Sequence, residues 1–169
     1  PAIISLGNTY SDAATAAGKI YAENHMPVMT SGATAPDVTI DNDWFFRVIN
    51  DNIAQGAYIA EYAYVILGYE KANIVYENNS YGISLRDAFK ETFEELGGEV
   101  ITVNPIANTE TLEDDAKAII ASYKETPDMV FIATYKTSGL EMLKQIRNSR
   151  FRSVTVIGGD DVGDSVFAT

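Results

Sequence analysis

Five short runs put hydroxyls, aromatic rings and a carboxylate directly after apolar, β-branched stretches: GNTYS at 7–11, TSGATAP at 30–36, ENNSYG at 77–82, ATYKTSG at 133–139 and GGDD at 158–161. In the first, a helix opens near Ser11 after a glycine turn. The first N–H groups of a helix lack internal partners and, with the helix dipole behind them, suit an anion such as a carboxylate. Ser11 adds a hydroxyl there; alternatively Thr9 or Ser11 is only an N-cap. Asp12 counts against an anion unless its side chain points away. In the second run Gly32 lets a ligand approach the backbone closely, and Thr34 offers donor and acceptor in one hydroxyl; an ordinary loop would read the same. Tyr81 is a lid over a ligand or the first core residue of its helix. Tyr135 packs against a ligand's apolar stem or is a half-buried surface ring. Asp160 pairs with an ammonium through a charge-assisted hydrogen bond or is a turn acid. Taken together, an anion hole, a mixed donor and acceptor, two rings and an acid are what a zwitterionic α-amino acid would use.

The elements that must position these residues are legible from periodicity. Strand-like runs are 2–6, 27–30, 44–49, 72–77, 99–104, 128–134 and 153–158, apolar on both faces and rich in β-branched residues. The clearest helix runs from Tyr81 to Leu96 with Leu85, Ala88, Phe89, Phe93 and Leu96 on one stripe, stopped by Gly97 and Gly98, where positive φ is needed. A second carries Leu112, Ala116, Ile119, Ile120 and Tyr123 on one face; a third carries Leu140, Leu143 and Ile146. Earlier helices cover about 11–24 and 53–67, the latter closed by Gly68. Strands of this kind separated by helices predict an α/β fold of doubly wound parallel sheets covered on both sides. One unit starts at Gln55; residues 1–50 are part of another, and VINDN at 48–52 is the crossover. In such sheets ligands bind beyond the carboxyl ends of the strands, which selects the loops 7–11, 31–36, 78–82, 135–138 and 159–164.

Composition narrows the function. The chain has 169 residues, 46% of them hydrophobic, enough for a real core, and a formal net charge of −12 that argues against nucleic acid or anionic lipid as the main partner. Cysteine is absent, which removes disulfide, thiolate-metal and cysteine-nucleophile chemistry. The lone histidine, His25, reads as a solvated helix end, and there is no G-x-S-x-G elbow, P-loop or dinucleotide fingerprint; an α/β enzyme is the weakest reading, and no cofactor is expected. Asp160, Asp161 and Asp164 suggest a hard cation, but their spacing fits no metal loop, so no metal is expected. The opening PAIISLGN runs straight into a strand pattern, as in a piece of a longer protein.

The chain resembles the type I periplasmic solute-binding proteins, in their leucine/isoleucine/valine-binding branch. The residues that carry the resemblance run in order: a Gly then a Ser at a helix head, PVMTSGATAP, FFRVINDNIAQG, YGISLRDAF, GGEV, PDMVFIATY, LKQIR and VIGGD. It implies two Rossmann-like lobes closing on a ligand, an incomplete first lobe over 1–50 and most of the second over 51–169. It implies that Ser11 holds the ligand carboxylate, that Thr34 serves both carboxylate and ammonium, that the Gly32 carbonyl accepts from the ammonium, and that Asp160 neutralises it. Tyr81 and Tyr135 would line the second-lobe wall. Asn52 stands at the hinge where the family commonly has an acid, Ser31 replaces a frequent Pro, and Tyr10 replaces a small residue. The implied function is a non-enzymatic periplasmic or extracellular receptor (a cell-surface lipoprotein is one form) that delivers an amino acid or similar small amine-carboxylate to an ABC transporter permease. A sensor domain of a membrane signalling receptor is the alternative, and exposed sheet edges allow a homodimer.

Overall fold

The computed structural model describes residues 2–163. Within them β-strands and α-helices alternate, and every strand pairing is parallel. The first sheet has the order β1 (Ser5–Leu6), β2 (Val28–Thr30), β3 (Phe45–Arg47), with α1 (Ser11–Glu23) between its first two strands. Side chains alternate across these strands. Val28 and Phe45 face inward and join Ala14 of α1, together with Ala33, Ala35 and Val38 from the following loop, in one buried cluster. The next residues along, Leu6, Met29 and Phe46, are aligned across the strands by register and are exposed at 73%, 36% and 50%. The expectation of a sheet covered on both sides therefore fails here among the described residues, because the only α-helix of this unit packs on one face.

The second unit matches the expected alternation. It runs α2 (Asn52–Glu61), β4 (Lys71–Glu77), α3 (Ser80–Glu95), β5 (Glu99–Ile106), α4 (Leu112–Ser122), β6 (Met129–Ala133), α5 (Lys136–Arg147) and β7 (Thr155–Gly158). The strand order is β5-β4-β6-β7. Its central strands are largely apolar because neighbouring residues feed different cores: Ile74 and Phe131 pack with Leu85, Phe89 and Phe93 of α3, while Val75 and Val130 pack with Ile120, Met142 and Ile146 beneath α4 and α5. Both faces of the central strands β4 and β6 are thus buried, as parallel sheets require.

Local chemistry sets the ends. Asn79 Oδ1 accepts from the Gly82 amide at 3.0 Å and caps α3. That helix stops where Gly97 takes φ +106° and the Gly98 amide returns to the Phe93 carbonyl at 2.9 Å. The single helix expected over 53–67 is α-helical only to Glu61; residues Tyr62–Ile66 widen into a π-helical segment before Gly68 turns at φ +71°. On α5 the buried stripe is Ser138, Gly139, Met142 and Ile146, and Leu140 and Leu143 are only half-buried. Ser138 Oγ reaches Glu77 at the end of β4 at 3.3 Å, so the first turn presents this side of the helix to the sheet.

Candidate functional site

The carboxyl ends of β1, β2, β4, β6 and β7 deliver the five chemistry-bearing loops, the last only as far as Gly163. Asp164 lies outside the described residues. A cavity of about 100 Å³ lies between the two sheets' loops. Thr9, Ser11 and Gly32 line it from the side of the first sheet, and Tyr81, Asp160 and Asp161 from the side of the second; the rings of Tyr10 and Tyr135 complete it. Five of the six candidate ligand-binding residues are therefore brought to one place. The sixth, Thr34, is 2% exposed and does not line the cavity, but its Oγ1 is buried with no hydrogen-bond partner.

The loop on the first sheet is held rigidly from beneath. Thr30 Oγ1 accepts from the Gly32 and Ala33 amides at 3.2 and 3.1 Å and donates to the Asn8 carbonyl at 3.0 Å. Arg47 on β3 donates to the Ala33 and Ala35 carbonyls at 3.4 and 2.9 Å. Ser11 Oγ accepts from the Ala35 amide at 3.1 Å, and a hydroxyl so placed still has its proton to donate. Tyr10 occupies the N-cap position of α1 and no side chain caps that helix. Neither Thr9 nor Ser11 is an N-cap, so the first amides of α1 remain without a side-chain acceptor. Asp12 turns away from them: its Oδ1 accepts from the Ser80 amide at 3.1 Å, at the start of α3 across the cleft. The need for glycine at position 32 is steric within the protein: a Cβ there would lie 2.5 Å from the Thr9 methyl.

On the opposite wall Tyr81 donates to Asp160 Oδ1 at 2.8 Å, fixing the carboxylate. Burial raises the Tyr81 phenol well above its ordinary pKa, and the adjacent Asp160 charge adds to the shift; it stays a donor at any working pH. Tyr135 stacks on Tyr81 with centroids 4.9 Å apart, and Tyr10 meets Tyr135 edge-on at 5.1 Å. The Tyr135 hydroxyl is buried without a hydrogen-bond partner. Burial raises its pKa too, with Asp12 adding to the shift; the Ser11 backbone is near enough to oppose it but is not placed for a bond. Asp161 Oδ2 accepts from the Lys136 amide at 2.7 Å, at the head of α5. Asn52 is fully buried; its amide donates to the Thr34 carbonyl at 2.9 Å and its side chain to the Tyr81 carbonyl and Ser84 Oγ at 3.0 and 2.9 Å. It thereby ties the first-sheet loop to α3.

Sequence reasoning missed Glu77. At the end of β4 it is 6% exposed and accepts from the Asn108 and Tyr135 amides and from Ser138 Oγ, each at 3.3 Å. Burial raises its carboxyl pKa above the ordinary value, the three donors opposing. An acid closing an apolar strand, KANIVYE, was the available signal. Among the described residues no cluster of acids or histidine has the arrangement to hold a metal ion, and no described helix is long and apolar enough to cross a membrane.

A model of the family described as periplasmic binding protein matches residues 2–167. A Leu/Ile/Val-binding protein of Rhizobium johnstonii is 28% identical over 166 residues, covering 96% of this chain and 44% of that protein. The chain thus spans less than half the length of that relative. A leucine-binding protein of Thermotoga maritima superposes with a TM-score of 0.83 at 25% identity, over 95% of this chain and 45% of the other. A solute-binding protein of an R. palustris ABC transporter, solved with benzoate, superposes with a TM-score of 0.84 at 27% identity, over 99% of this chain and 46% of the other.

Proposed function

This chain belongs to the periplasmic binding protein family, and from that premise we propose that it is the central part of an extracytoplasmic receptor for an amino acid or a similar small amine-carboxylate. Residues 1–50 belong to one lobe and 51–169 to the other, with Asn52 at the hinge between them. The ligand's carboxylate sits at the uncapped head of α1, near Ser11 and the Thr34 loop. Its ammonium lies between the Gly32 carbonyl and Asp160, and Tyr81 and Tyr135 form the wall. The receptor hands its ligand to an ABC transporter permease.

The observation that carries this reading is the convergence of Ser11, Gly32, Tyr81, Tyr135 and Asp160, from loops on both sheets, on one cavity. The polarity is right at each end. The α1 amides supply partial positive charge with Asp12 turned aside, and Asp160 supplies an oriented negative charge. Each charge-assisted hydrogen bond contributes roughly 1.5–3 kcal/mol. Titration calorimetry of the full-length receptor against amino acids tests the proposal. Asp160→Ala is expected to weaken binding by more than about tenfold, the equivalent of roughly 1.4 kcal/mol. An unchanged affinity would remove Asp160 from this role.

A further inference from the structure

The head of α1 touches the second unit at two points. Asp12 Oδ1 accepts from the Ser80 amide at 3.1 Å, a bond between residues 68 positions apart in sequence, and the Tyr10 ring meets Tyr135 edge-on at 5.1 Å. Both rings line the ligand-head cavity and a second one of about 310 Å³, whereas Asp12 and Ser80 line neither. The Ser80 amide is the first N–H of α3, and that helix's own cap does not serve it, because Asn79 Oδ1 takes the Gly82 amide. Asp12 therefore caps a helix on the far side of the cleft. The bond is exposed, so water can replace either partner and the contact can open and re-form. Asn52 makes the opposite kind of connection, fully buried and without access to water. The Asp12 carboxylate also has an alternative partner. It sits in the first turn of α1, where an acid is drawn to the free amides of its own helix. Held at Ser80, it leaves those amides clear.

We propose, building on the two-lobed reading above, that Asp12 is a positioning residue for ligand capture. Its bond to the Ser80 amide draws the two lobes together before a ligand arrives and keeps the head of α1 open to the ligand's carboxylate.

Small-angle X-ray scattering, coupled to size exclusion, on the ligand-free full-length receptor reads the separation of the lobes. Ser80→Pro removes the donor alone: the first helical position is the one that favours proline, and Asn79 before it is already extended, as the residue preceding proline prefers. Asp12→Ala removes the acceptor, and Asp12→Asn removes the charge but keeps an oxygen that can accept. Ser80→Pro and Asp12→Ala are expected to raise the radius of gyration, and Asp12→Asn to stay nearer the unmodified value. An unchanged radius in either of the first two overturns the proposal. So does an Asp12→Asn receptor as open as Asp12→Ala, because charge rather than the bond would then be the cause. Should far-ultraviolet circular dichroism show that Ser80→Pro does not fold, the two Asp12 variants decide. No ligand takes part, so the outcome is separate from the calorimetry. A radius that never changes, beside a loss of amino-acid binding in Asp160→Ala, overturns the role of Asp12 and leaves the amine-carboxylate reading standing.

Discussion

The hydroxyl of Thr30 lies beneath the loop that carries Gly32 and Thr34, accepting from two amides and donating to the Asn8 carbonyl. It touches no ligand position, yet it ties the ends of β1 and β2 together. Thr30→Val keeps the shape and removes all three bonds. Unpaired buried groups are costly, so the variant is expected to lose about 2 kcal/mol in urea unfolding and to bind ligand more weakly as well. The same loop shows where sequence alone fell short. Gly32 reads as room for a ligand, but the atom that occupies the room is the Thr9 methyl. Close approach was legible; its partner, 23 residues distant along the chain, was not. Ser11 was legible as the head of a helix, whereas the release of that helix from any side-chain cap depends on Asp12 reaching across to Ser80, a tertiary fact.

At the scale of elements, the strand ends did most of the work of finding the site. Among the described residues the seven strands and five α-helices fall where periodicity places them, and the loops at the carboxyl ends converge as the parallel topology requires. Two things were hidden. The π-helical segment after Glu61 leaves the apolar spacing nearly unchanged, and the pattern Leu140, Leu143, Ile146 gave way to a buried stripe that begins with the small residues Ser138 and Gly139. The end of β4 was hidden as well. Glu77 ties the starts of α5 and of the segment before α4 to the sheet through Tyr135, Ser138 and Asn108. Its pKa is raised above 4.5 by burial. A raised carboxyl pKa means the folded chain holds that proton more tightly than the unfolded one. The stability it contributes is present below pH about 4.5 and is given up as pH rises through the shifted value. Glu77→Gln has no proton to lose there. Differential scanning calorimetry between pH 4 and 8 is expected to show a flatter dependence of Tm on pH over that window in the variant; parallel curves would mean that Glu77 titrates as it does in the unfolded chain.

For the whole molecule, the consequential asymmetry is between a second sheet covered on both faces and a first sheet with a bare row, Leu6, Met29 and Phe46. Apolar surface of that extent drives association in water. This chain by itself is expected to self-associate in light scattering, and Met29→Lys with Phe46→Glu is expected to shift it toward monomer; a monomer at all concentrations before substitution would show the row to be tolerated by water. Periodicity had made these strands apolar on both faces, and the face lacking a helix could not be told from the one possessing it. The arrangement of aromatic rings has a practical corollary. Tyr10, Tyr135 and Tyr81 form a contiguous array in the cleft, while the sole tryptophan, Trp44, leans on His25 at 5.2 Å just before β3 and lines neither cleft cavity. The molecule therefore carries two separate optical reporters. A ligand-induced change in near-ultraviolet circular dichroism registers occupancy of the cleft above the constant signal of the stacked Tyr58 and Tyr62 outside it, and indole fluorescence registers the integrity of the first sheet, with no dye attached to either.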